Sequence, residues 1–260
     1  MVVGLGQAHQ RRSRNKKICW KKGDFLSNKA NKQASIQLIM ECLRQRGCGV
    51  IQAEGYADVE IGKAAVTKSA IKSTTFVGED TDLLLLLLYY TEATNCTELY
   101  FRTDKVKSNV YNIKVLKKKF GEAVCIDLLF IHAFTGCDST SRVFGIIKKS
   151  GFQRIIKKEK EMKDSSKVFC STKQSQDVVA TSGCRAMVVL FNANQNDSLA
   201  SIRYNMLCKK VARDKTFVLP ERLSPTYSAY KFHSLRAYCQ VMEWIGCSDE
   251  MEPSEWGWRG

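Results

Sequence analysis

None of the eleven cysteines forms a Cys-x-x-Cys pair, their count is odd, and no cleavable hydrophobic leader opens the chain. These absences argue against zinc ribbons and a secreted disulfide framework, and they point to a reducing compartment, nuclear or cytoplasmic. The three histidines, His9, His132 and His233, are too scattered to complete a zinc site. Cys125, Cys137 and Cys239 lie among apolar residues and read as buried free thiols. Long apolar runs are missing too. The six leucines Leu83 to Leu88 continue only to Tyr90 before Thr91 and Glu92, far short of the roughly 20 residues that span a bilayer. This run is core, and no membrane partner is expected. No internal repeat is present.

What remains is a chain of 260 residues, 44% hydrophobic, long enough to bury a sizeable core. Lysine and arginine outnumber the acids 41 to 26, a formal charge of +15. An excess of that size suits a polyanion, nucleic acid first, although a merely solvated basic surface has the same composition.

Residues 1 to 24 carry many basic and few apolar side chains and read as a disordered basic arm. From Asn31, the spacing of Ile36, Ile39, Met40 and Leu43 predicts a helix of about four turns ending at Gly47. Val50 to Ala53 reads as a short buried strand, Ala57 to Lys72 as a helix, and Thr74 to Val77 as the next strand. Further strands are expected at Glu98 to Phe101 and Val110 to Ile113, with a helix from Ala123 to Phe134. This alternation predicts an α/β fold, a mostly parallel sheet with flanking helices. Residues 148 to 167 are strongly charged and read as an exposed helix and linker. Helices at about 176 to 191, 198 to 212 and 227 to 245 follow, the last with an apolar stripe of Phe232, Leu235, Cys239 and Met242. Tyr227, Tyr230 and Phe232 could stack bases, but their helical spacing favours packing. The expected organisation is the arm, a core over 25–165, and a helical carboxyl-terminal region over 166–260.

Glu79, Asp80 and Asp82 follow a buried strand, and ligands of open α/β sheets bind at the carboxyl ends of strands. Clustered carboxylates raise one another's pKa, a cost that a divalent cation reverses, and hard oxygen donors favour Mg²⁺ or Mn²⁺. The plainer reading is that these acids cap the next helix. Asp58 and Asp138 also sit at element ends, so three loops can converge on one metal site.

The strings Glu79-Asp80-Thr81-Asp82, Thr135-Gly136-Cys137-Asp138 and Gly145-Ile146-Ile147-Lys148-Lys149 resemble the PIN-like, flap-endonuclease-type nucleases. Ala57-Asp58 matches the end of that family's first acidic motif, Asp80 and Asp82 its second, and Asp138 its third. The chain is most similar to uncharacterised, mobile-element-associated PIN-like proteins of animals, from Phe25-Leu26-Ser27-Asn28 to Glu255-Trp256-Gly257-Trp258. The resemblance implies a PIN-like core followed by a helix-hairpin-helix-like segment. It also implies a Mg²⁺-dependent site of Asp58, Asp80, Asp82 and Asp138. DNA or RNA would be held by Lys148, Lys149 and Arg154 beside the hairpin and by Lys117, Lys118 and Lys119 on the preceding surface.

Three departures bear on activity. Tyr56 stands where the family has an acid, and a phenol is a poor substitute for a carboxylate. Glu60, about 200° around the helix from Asp58, should point away, which leaves Glu54 in the loop. The family's opening strand and its Asp are not evident before Asn31, so the chain reads as amino-terminally shortened. Ile147 replaces the second hairpin glycine, weakening an anion site there. The expectation is a nucleic-acid-binding protein with a degenerate nuclease site. The alternatives are an active metal-dependent nuclease and a non-functional relic fragment.

Overall fold

The computed structural model describes residues 22–53, 55–92, 97–105, 109–157, 159–194, 196–213, 217–248 and 251–258. The chain divides into two compact units, Met1–Glu54 and Gly55–Gly260.

In the first unit, α1 (Lys22–Ser27) leads into α2 (Lys29–Gln45). Asn28 caps α2, its side chain accepting from the amides of Ala30 at 3.0 Å and Asn31 at 3.2 Å. Gly47, with φ of +77°, follows the helix end. Of the basic arm, residues 1–21 lie outside the described residues, and Lys22 to Asp24 begin α1. The strand expected at Val50 to Ala53 does not form. Ile51 is 70% exposed, so this run has neither a neighbouring strand nor a buried face to hold it extended.

The second unit begins with α3 (Ala57–Ile71), β1 (Thr74–Val77), α4 (Thr81–Tyr90), β2 (Leu99–Arg102) and β3 (Val110–Asn112). β1 and β2 are parallel, in register from Thr74 beside Leu99 to Val77 beside Arg102, with α4 as their crossover. β3 runs antiparallel to β2, pairing Arg102 with Val110 and Tyr100 with Asn112. The mostly parallel sheet is therefore not what this sequence builds. The described fold is mostly helical around a small mixed sheet of order β1-β2-β3. A parallel return needs a crossover of about a dozen residues, and only residues 103–109 separate β2 from β3.

The helices α5 (Ile113–Phe120), α6 (Glu122–Thr135), α7 (Lys148–Ile156), α8 (Lys160–Phe169), α9 (Gln176–Leu190), α10 (Leu199–Arg213) and α11 (Tyr227–Ile245) complete the unit. One apolar cluster joins Leu86 and Leu87 of α4, Phe130 and Phe134 of α6, Met187 of α9 and Tyr238 of α11. The helical carboxyl-terminal region thus shares its core with the acid-bearing elements. α4 and α6 bury apolar residues on most of their circumference, as central helices must.

The charged stretch 148–167 is not a linker. It forms α7 and most of α8, with Ile155 and Met162 fully buried. Asp127, buried on α6, is satisfied from α8 by the Ser166 hydroxyl at 2.5 Å and by the Lys163 ammonium. Tyr230 is likewise fully buried, whereas Tyr227 is exposed. Among the described residues no helix is long and apolar enough to cross a membrane.

Candidate acidic site

α4 starts where β1 ends, at the turn Gly78-Glu79-Asp80. Gly78 is required in that turn, because a Cβ there would meet the Phe76 ring at 2.6 Å. Asp80 is the N-cap of α4, its carboxylate accepting from the Asp82 amide at 3.1 Å, so the capping role foreseen for these acids is real for Asp80. Asp82, in the first turn, is buried. Asp58 lies half-buried in the first turn of α3.

Asp138 is exposed on the loop leaving α6. Gly136 turns the chain there with φ of +110° and Arg142 Cα packed where its Cβ would be, 2.7 Å away. Thr140 then ties the loop back to the helix. Its hydroxyl donates to the Ala133 carbonyl at 2.7 Å and accepts from the Cys137 amide at 3.0 Å.

Of the four acids expected at one site, Asp58 feels the other three. The Asp58 carboxyl is pushed above its ordinary value first by burial and then by the charges of Asp80, Asp82 and Asp138. The other member of the first motif differs. Tyr56 is 56% exposed, and its phenol is raised by burial and by Glu243 and Cys239 of α11. Glu60 points to solvent and reaches Lys63 at 4.0 Å, and Glu54 lies outside the described residues.

Asp82 behaves in the opposite way to Asp58. Burial raises its carboxyl, but His132, Lys148 and a hydrogen bond with Asp80 together bring it below the usual carboxylate value. His132, on the last turn of α6 and 4% exposed, bonds through Nε2 to Asp82 Oδ1. Lys148 Nζ, from the first turn of α7, stands 3.1 Å from His132 Nδ1. The same ammonium is 3.4 Å from Nε2, so it lies against the imidazole ring rather than on the line of one nitrogen's lone pair. The Trp244 ring of α11 lies 5.7 Å from the imidazole. Asp82, His132 and Lys148 thus form one cluster of carboxylate, imidazole and ammonium. His132 had been set aside as too isolated to ligate zinc. Its position six residues before Asp138, inside an apolar helix, gave little other sign of a role.

Comparison with family models, curated proteins and solved structures gives no match. The acids' surroundings therefore stand on their own geometry. Four carboxylates are a suitable donor chemistry for a hard cation. Their arrangement is not. Among the described residues no group of three His, Cys, Asp or Glu side chains is gathered so as to hold a metal ion, and Asp82 is already committed to His132. The residues present do not fit a two-metal centre.

The basic residues divide. Lys118, Lys119, Lys148 and Lys149 are exposed, with Lys148 turned back toward His132. Arg154 is held by Glu159 at 2.6 Å and by Asn192. Lys117 cannot reach a phosphate. It is 4% exposed, with its ammonium on the carbonyls of Thr91 and Tyr89 at the end of α4 and 3.0 Å from Glu122. It neutralises the carbonyl end of a buried helix, where cations are favoured.

Proposed function

We propose that this chain is a nucleic-acid-binding protein whose nuclease-type acidic pocket is degenerate and closed by its own cation. The observation that carries this reading is the commitment of Asp82, the most buried of the four acids, to His132, with the Lys148 charge beside the same pair. A carboxylate that has its counter-charge within the fold has little need of an external one. Support for a polyanion partner comes from the net charge of +15 and from the exposed lysines at the start of α7 and the end of α5.

The test is equilibrium binding of labelled single-stranded and branched DNA and RNA over a salt series, alongside cleavage assays with Mg²⁺ and Mn²⁺. Binding should weaken with salt, log K falling by roughly 0.9 per log unit for each duplex phosphate contact, without cleavage. Metal-dependent cleavage lost in both Asp80→Asn and Asp138→Asn would replace this reading with an active nuclease. The elevated Asp58 carboxyl is the one observation that favours that alternative, since a bound cation would relieve it. Salt-insensitive or absent binding would remove the nucleic-acid reading altogether.

A further inference from the structure

A cavity of about 380 Å³ is lined in part by residues 141–144 of the loop that follows α6. Arg142 comes from that loop, Arg203 from α10 and Arg236 from α11, and all three arginines line it. The only carboxylate in the lining is Glu221, so three positive groups against one leave two net positive charges. Among the described residues none of the three guanidiniums is ion-paired. Arg203 spends donors on the carbonyls of Ser224 and of Pro220, the latter at 3.3 Å, and Arg236 spends one on the Gly257 carbonyl at 2.9 Å. Each guanidinium has five donors, so most remain for a ligand.

The rest of the lining has the same sign or none. Thr226 caps α11, whose amino-terminal end forms part of the wall and adds the positive end of a helix dipole. His233 is neutral at physiological pH, because burial and the nearby Arg236 hold its imidazole down to about 4 while Nε2 donates to the Phe134 carbonyl at 2.8 Å. Lys210 lies 5.5 Å from the Phe144 ring that borders the opening.

We propose that this arginine-lined cavity is a binding site for a phosphate group. Three arginines around one cavity with a single carboxylate favour an anion there, and the planar fork of arginine matches phosphate oxygens in pairs. A phosphate dianion also balances the two net charges of the lining. None of the four acids lines it, and the proposal does not depend on how those acids function. The phosphate can be free or can belong to a nucleic-acid strand.

The experiment measures binding of inorganic phosphate to the full chain by calorimetry, against chloride at equal ionic strength. It is repeated with a terminally phosphorylated oligonucleotide and with the same strand ending in a hydroxyl. Phosphate should bind in preference to chloride. Arg142→Gln, at an exposed position, should weaken it about tenfold, the value of one lost charged hydrogen-bonding partner. Arg236→Lys keeps the charge and loses the fork, and it should weaken binding as well. Asp80→Asn should leave it unchanged. Preference for the phosphorylated strand assigns the site to a strand end, an equal loss for both strands in the variants assigns it to internal phosphodiesters, and an effect on inorganic phosphate alone assigns it to a free anion. The proposal is overturned if phosphate binds no better than chloride, or if both arginine variants, folded by circular dichroism, bind it like the parent.

Discussion

Replacing His132 by leucine isolates the physics of the acidic pocket. The substitution keeps an apolar body against Trp244 and leaves Asp82, its side chain 10% exposed, without its hydrogen-bonding partner. Removing one member of a buried pair costs about 3–5 kcal/mol, and the nearby Lys148 ammonium places this case at the lower end, about 3 kcal/mol. For a folded unit of this size that lowers the unfolding temperature by about 6–12 °C. The loss must depend on pH. In the parent the Asp82 carboxyl is depressed, so its contribution is present above the unfolded carboxylate value of about 3.9 and is lost as pH falls through the folded value. In His132→Leu, burial is the dominant remaining influence and raises that carboxyl, so stability is lost as pH rises instead. The gap between the two proteins is therefore widest at neutral pH and narrows on acidification. Urea unfolding followed by tryptophan fluorescence, at neutral pH and near the carboxylate range, measures both values. Asp82→Leu combined with His132→Leu should recover most of the loss. An equal deficit at both pH values, or a double variant as unstable as the single one, would refute the pairing.

Other consequences can be checked with the same equipment. Asp58 has a raised carboxyl, which gives it full stability only below the unfolded value, so Asp58→Asn should stabilise the protein by about 0.5 kcal/mol at neutral pH and by nothing under acid conditions. Lys117→Ala should cost about 2 kcal/mol in thermal unfolding by stranding the carbonyls of α4 while leaving nucleic-acid affinity unchanged. Replacing Lys118 and Lys119 together should do the reverse. Gly136→Ala, facing a positive φ and the Arg142 backbone at 2.7 Å, should destabilise by about 2–3 kcal/mol. A loss below about 0.5 kcal/mol in chemical unfolding would mean that the turn is not held as described.

The longer helices α2, α3, α6, α9, α10 and α11 were legible because their apolar residues recur at helical spacing, with Gly47 marking the end of α2, whereas α1 and α5 were not read. Sheet architecture was not legible. Short apolar runs such as Val50 to Ala53 and Val110 to Ile113 look alike in sequence, and only partners decide whether they pair, and in which direction. The buried side of α7 and α8 was hidden for a different reason. Ile155, Met162 and Phe169 form a sparse stripe among many lysines whose charge dominated the reading. At the site, acids at element ends were visible as candidates. The partnership of His132 with Asp82, residues fifty positions apart, was not. Lys117 and Lys118 are neighbours of identical chemistry, and only the packing of α5 against α4 separates an internal strut from a surface charge.

The mounting of Asp80 and Asp82 limits how the pocket can respond to its own repulsion. Both sit at the start of α4, which packs on α3 and α6 and has Leu86 and Leu87 fully buried. Side chains fixed to so stiff a post cannot drift apart to ease crowding. The charge imbalance can then change only by chemistry, through a proton, a resident lysine or an ion drawn from solution.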